Sequence, residues 1–260
     1  MGKPTPIYTP ANCAAAYQLI WGLSVFWRRP PGTDAWLAPL QAELEHDHIR
    51  ILRHETREPD ASHFLVSTQP HVAPAQIPRL LKGRLQHLVS DRLPKAFQRN
   101  YSLRSIGSTR REKLESYLQS QTAHHPMAEP RVQRRLRQRQ INEPGIDLSA
   151  PRQTAHATYW YNLHIVMATE GRWMEIRDEV LTSMRDMLLK ASRSKGHLLS
   201  RAGILPDHVH LTVGCSLGES PLEVALSYMN NLAFACGRRP VFRSSCYVAT
   251  FGEYDLGAIR

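Results

Sequence analysis

The sequence predicts an α+β protein in which one small split-βαβ unit is written twice, and three observations predict it. The tract Pro59-Asp60-Ala61-Ser62-His63-Phe64-Leu65-Val66 returns as Pro206-Asp207-His208-Val209-His210-Leu211-Thr212-Val213. After each tract comes a helical stretch, about Ala75 to Ser90 and Pro221 to Cys236, then a strand-like run, Phe97 to Gly107 and Phe242 to Gly252. Before each tract comes an aromatic-rich strand (Tyr17 to Trp27; Tyr159 to Met167) and a helix (about Asp34 to His46; Trp173 to Ser194). A repeat of this kind decides the fold before any single element does. The order β-α-β-β-α-β, with short turns that permit antiparallel pairing, is that of two ferredoxin-like domains, each an antiparallel sheet with helices packed on it.

The expected organisation is a first domain over 1–121, a linker over 122–154 and a second domain over 155–260. The linker holds prolines at 126, 130 and 144 and five arginines between Arg131 and Gln140. Chain breakers mixed with like charge are linker composition. Its arginines form either a solvated helix face or a direct contact to DNA.

With 260 residues, 42% of them hydrophobic, the chain is long enough to bury a substantial core. A formal charge of +10 and a pI near 9.8 point to a polyanionic partner, because each Lys or Arg set on a phosphate releases condensed counterion. Nucleic acid leads, and an anionic membrane surface follows. No run approaches the roughly 18 apolar residues of a membrane span, and Met1-Gly2-Lys3-Pro4 lacks the apolar core of a secretory signal, so a cytoplasmic protein is expected. Cys13, Cys215, Cys236 and Cys246 show no CxxC spacing, which leaves them as reduced packing residues rather than zinc ligands or a disulfide framework.

His208 and His210 sit two apart in an apolar run that reads as a strand, so both imidazoles project from one face and can reach one ion. Thirteen histidines in this chain give roughly 0.6 such pairs by chance, and His46 with His48 is another, so context must carry the assignment. A second element is a helix expected from near Ser108, where Thr109-Arg110-Arg111-Glu112 fits a capping box. Its spacing puts Lys113, Tyr117 and Gln121 on one face.

Pro206-Asp-His-Val-His-Leu, the strand end from Tyr101 to Gly107, and Tyr117-Leu-Gln-Ser-Gln121 together resemble the HUH-type single-tyrosine transposases of small bacterial insertion sequences and their REP-associated relatives. The resemblance covers both copies, most of the chain outside the linker. It implies that His208, His210 and Gln121 bind a divalent metal, Mg2+ or Mn2+. It implies that Tyr117 attacks a phosphodiester of single-stranded or hairpin DNA, leaving a 5′-phosphotyrosine link and a free 3′-hydroxyl. In that family the enzyme is commonly a dimer in which one subunit's tyrosine helix completes the other's histidine site.

The departures from the family pattern are as informative. Ala61 stands where the second copy has His208, so the first copy keeps only His63. With Gly107 aligned to Gly252, Arg260 falls opposite Glu115, short of the Tyr117 position, and the second copy is expected to lack its tyrosine helix. One copy keeps the tyrosine and the other the histidines. The expectation is a monomeric pseudo-dimer with one composite site, formed by Tyr117 and Gln121 reaching across to His208 and His210. Tyr254 is the competing nucleophile, set aside because its register matches Thr109.

Lys82, Arg84, Arg99, Arg104, Lys113, Arg238 and Arg239 surround these motifs as candidate DNA contacts, with backbone phosphates as targets. Trp21, Trp27, Trp160 and Tyr161 could stack bases, but aromatics at strand period usually face a core. The alternative function is a catalytically inactive, transposase-derived DNA-binding or regulatory protein, motivated by Ala61 and the missing helix. Convergence of the four site residues discriminates between the two. An RNA-binding sheet domain is a third reading, and it lacks the paired aromatic signature strands.

Overall fold

A computed structural model describes residues 5–124, 127, 129–172, 174–237 and 239–254. The first half runs β1 (Ala14–Gln18), β2 (Ile20–Trp27), α1 (Leu37–His46), β3 (Ile49–Glu58), β4 (Ala61–Thr68), α2 (Gln76–Val89), β5 (Phe97–Ile106) and α3 (Arg111–His124). A connecting stretch holds α4 (Pro130–Arg139), β6 (Ile141–Asn142) and β7 (Arg152–Gln153). The second half runs β8 (Ala157–Trp160), β9 (Asn162–Ala168), α5 (Asp178–Lys195), β10 (Leu198–Ile204), β11 (His208–Gly214), α6 (Pro221–Ala235) and β12 (Ser245–Thr250).

The fold is α+β with two six-stranded sheets, in the orders β3-β4-β2-β5-β8-β7 and β1-β12-β9-β11-β10-β6. Period-two alternation sets their faces. On β2, Trp21, Leu23, Val25 and Trp27 are buried toward Leu40 and Leu44 of α1 and Ile77, Leu81 and Leu85 of α2, while Gly22 and Ser24 point the other way. On β11, Val209, Leu211 and Val213 face α5 and α6, and His208, His210 and Thr212 take the opposite face. Each sheet therefore has a helix-covered side and a second side that can carry polar residues. Local signals fix the helix ends. Ser220 and Glu223 form a capping box with Pro221 at the first turn of α6, and Gly196 ends α5 in the left-handed region at φ 66°.

The halves are joined by strand exchange. β1 leaves its own half and pairs parallel with β12, while β8 pairs parallel with β5, so the two exchanges are equivalent. At the crossing, Ser105 Oγ donates to Phe251 O at 2.6 Å and Thr250 Oγ1 donates to Ile106 O at 2.6 Å. Each hydroxyl also accepts a backbone N–H, from Asn162 at 3.1 Å and Ile20 at 2.9 Å. Gly107 and Gly252 permit the approach: a Cβ on Gly107 would lie 2.7 Å from Thr250 O, and one on Gly252 would run into Ser105 O. Trp21 and Tyr161 meet edge-on across the join at 5.3 Å.

Two helix starts differ from expectation. The helix after Gly107 begins at Arg111 instead of Ser108, because Arg110 is still bridged to Gly252 and Arg111 N–H donates to Gly252 O. The helix expected from Trp173 begins at Asp178, and Trp173 itself lies outside the described residues. The stretch read as linker contains α4, whose Val132 and Leu136 are buried, and β6, which pairs with β10. Arg131, Arg134, Arg135 and Arg137 on α4 are exposed. The four cysteines are free, three of them buried and Cys236 partly so. No helix of the described residues is long and apolar enough to cross a membrane.

A Gly252→Ala variant should lose about 1–3 kcal/mol through overpacking at the join, read as a lower denaturant midpoint with unchanged slope. Gly145→Ala, whose Cβ would meet nothing within 4 Å, is the control and should stay within about 0.5 kcal/mol of the parent.

Candidate active site

Four elements converge on the side of the second sheet away from α5 and α6. β11 supplies His208 and His210, whose rings lie 4.9 Å apart. β9 supplies His164, β10 supplies Gly203, and α3 crosses from the first half bearing Tyr117 and Gln121. The apolar side of α3 anchors it there: Leu114 and Leu118 are buried, and Leu114 packs with Leu148 and Phe251. Glu115 adds a polar tether, accepting from Ser200 Oγ at 3.3 Å and facing Arg111 at 3.1 Å and Arg201 at 3.8 Å.

Tyr117 and Gln121 share one side of α3 but not one environment. Gln121 is 0% exposed and Tyr117 is 40% exposed. Gln121 Nε2 donates to His208 Nε2 at 3.3 Å, and the Tyr117 ring lies 6.1 Å from that of His210 at 63°. Gly203 makes room for this, because a Cβ there would overlap Gln121 Oε1. That oxygen is buried with no hydrogen-bond partner. Leaving a buried amide oxygen unpaired costs about 1–3 kcal/mol, so the position carries a cost that packing alone does not explain.

Each histidine of the pair has an acceptor behind it. His208 Nδ1–H donates to Asp207 Oδ1 at 2.6 Å, which leaves Nε2 with a lone pair facing Gln121. His210 Nδ1 lies 3.0 Å from His164 Nε2, the two rings stacked at 25°. Burial pushes the His164 pKa down to about 4, so the ring is neutral at physiological pH and Nε2 can accept. With His210 Nδ1–H donating to it, His210 Nε2 is also a forward lone pair. The arrangement fits a divalent ion: two imidazole nitrogens, and an amide that presents Oε1 to the same space once it turns over. Among the described residues no cluster of three His, Cys, Asp or Glu could hold an ion.

The basic residues divide. Lys82 donates to Gln98 O at 2.6 Å and Arg99 O at 3.0 Å, and burial lowers its pKa. Arg84 is engaged by Asp47 at 3.1 Å and Glu43 at 3.3 Å. Both stand on α2, on the helix-covered side of the first sheet, away from the histidines. Lys113 is exposed on α3, and Arg99 and Arg239 are exposed elsewhere. Arg104 lies over the Trp160 ring at 4.3 Å. Arg238 lies outside the described residues. Of the four aromatics, Trp21, Trp27 and Tyr161 are core residues and Trp160 is not. Sequence reasoning missed His164 and the role of Asp207. His164 carries no motif, whereas Asp207 stood in the repeated Pro-Asp pair.

No protein-family model and no curated protein matches the chain. Among solved structures, a similar chain is a REP-associated tyrosine transposase bound to a REP hairpin, with a TM-score of 0.29 and 14% identity. The match covers 35% of this chain and 56% of that one, so the chain spans little over half of that structure.

Gly203→Ala should drive the Gln121 side chain away from His208, since the added Cβ would overlap its amide. The check is the His208 ring signal in long-range 1H–15N spectra, which should shift in this variant and equally in Gln121→Ala.

Proposed function

We propose that the protein cuts and rejoins single-stranded DNA through a 5′-phosphotyrosine intermediate on Tyr117. The active site is composite, with His208, His210 and Gln121 as ligands of Mg2+ or Mn2+. The observation that carries this reading is the orphaned Gln121 oxygen buried beside two forward-facing imidazoles, one helical turn from an exposed tyrosine. The motif resemblance supplies the reaction. Each half is then a ferredoxin-like domain, 1–121 and 155–260 about a linker of 122–154, in a monomeric pseudo-dimer. The strand orders β3-β4-β2-β5 and β10-β11-β9-β12 support that reading.

The chain's residues divide the work. Tyr117 is solvent-facing and so open to a DNA backbone, while Gln121 on the next turn is locked into the sheet. Asp207 and His164 hold the tautomers of His208 and His210, so the ligand lone pairs are set in advance of binding. A bound divalent ion supplies Lewis-acid polarisation of the scissile phosphate and fixes it for in-line attack. The Tyr117 oxygen bonds to phosphorus, the 3′ oxygen leaves, and the phenolic proton is carried in net to that oxygen as the free 3′-hydroxyl. Rejoining is the reverse step with a 3′-hydroxyl as nucleophile. One phosphodiester replaces another, so no nucleotide cofactor is consumed. The exposed arginines of α4, beside α3, are placed to meet backbone phosphates.

Incubation of the chain with single-stranded or hairpin oligonucleotides and Mn2+ or Mg2+ should give a covalent protein–DNA adduct on a denaturing gel. Tyr117→Phe and His208→Ala should give none. An adduct that survives Tyr117→Phe moves the nucleophile elsewhere, and tight DNA binding without any adduct supports the non-catalytic alternative. By calorimetry, Asp207→Asn should weaken Mn2+ binding about 10–100-fold while the protein stays folded.

A further inference from the structure

The first sheet carries its own version of the site face. There, on the side away from α1 and α2, lies a cleft of about 620 Å3, within the ~300–1,000 Å3 range of small-ligand sites. By the internal symmetry it corresponds to the surface on which His208 and His210 stand. Ala61 replaces the first histidine, and His63, at the position of His210, is hydrogen-bonded to Ser24 Oγ at 2.8 Å. In the second half α3 fills the equivalent space, whereas among the described residues no helix residue lines this cleft.

The cleft has one imidazole beside the carboxylates of Glu55 and Glu253, and among the described residues no group of three His, Cys, Asp or Glu could hold an ion. What it offers instead is a cation–aromatic pair. The Arg104 guanidinium lies 4.3 Å over the Trp160 ring, and both residues line the cleft. Trp160 Nε1 donates to Ser149 O at 2.6 Å, which pins the indole. A guanidinium held over an indole offers a planar cation to a nucleobase and an N–H fork to phosphate. Ser24 and Ser102 add hydroxyls along the floor. Trp160 is also close to the histidine site. It precedes His164 by four residues on the continuous β8–β9 path, at most about 14 Å of extended chain.

We infer that this cleft is a second, non-cleaving subsite that holds an unpaired nucleotide of the same DNA strand, stacked on the Arg104–Trp160 pair. The choice of ligand rests on the DNA reading above. The degenerate half thus grips the strand that the intact half acts on.

The test is binding of a fluorescent single-stranded oligonucleotide by polarisation without divalent ion, together with cross-linking of 5-iodouracil-substituted DNA. Arg104→Ala should weaken binding about tenfold. Arg104→Lys, which keeps the charge but loses the plane, should recover little of it, and the wild-type cross-link should map to the peptide containing Trp160. Wild-type affinity in both variants overturns the inference, as do cross-links confined to α3 and β11. Competition by a deoxynucleoside monophosphate as strong as that by the oligonucleotide overturns it in favour of a small-molecule site. The two readings fail separately. Adduct formation with Arg104-independent binding removes the subsite alone, and Arg104-dependent binding without any adduct removes the cleavage chemistry alone.

Discussion

Two hydroxyls, each donating across the join to a carbonyl of the opposite half, set the relation on which the rest of the molecule depends. Ser105 reaches Phe251 O and Thr250 reaches Ile106 O, both at 2.6 Å and both out of water. Buried hydrogen bonds of this sort stabilise by only about 1 kcal/mol each, but leaving one partner unmet costs more, so they specify register more than they add strength. The glycines beside them let two strand ends approach at backbone contact distance. The consequence is directional. Chain leaving β5 at Gly107 emerges beside Gly252, its first helical N–H is taken by Gly252 O, and α3 lies over β10. The candidate site follows from that exit.

The site divides into rigid and open parts. His208 and His210 are carried on a strand inside a six-stranded sheet, each backed by an acceptor. Gln121 is sealed against Gly203, where a side chain of any size would collide with it. Tyr117, one turn earlier, is the one of these groups with substantial contact with solvent. The strand-borne histidine pair and the helix-borne tyrosine come from opposite halves, so their spacing is set by the join rather than by either half alone.

Much of this was legible in the sequence where the signal was local. The Pro-Asp turn, the two-residue spacing of His208 and His210 and the four-residue spacing of Tyr117 and Gln121 each reflect one element's own period. What was illegible is non-local. Nothing around Ala14 or Ala157 says that each strand pairs with the other half, since parallel pairing across a long separation has no local pattern. The bridge of Arg110 to Gly252 delays the start of α3 for the same reason. His164 looked like any polar residue on an alternating strand, and only the fold sets its ring against His210. Lys82 and Arg84 look like free cations in sequence, yet strand carbonyls and the acids of α1 and its C-terminal cap engage them.

The parallel pairing of β1 with β12 also governs the order in which the chain can be completed on the ribosome. Ala14 pairs with Ser245, so β1 is synthesised long before the strand it pairs with. β8, in contrast, finds β5 already made. Until β12 emerges, β1 has an unpaired edge and the first half carries a strand with no place to dock. Such long-range closure is slow and leaves an edge open to other chains. A nascent molecule is therefore most vulnerable to exchanging β1 with a neighbouring copy in the interval before its own β12 arrives.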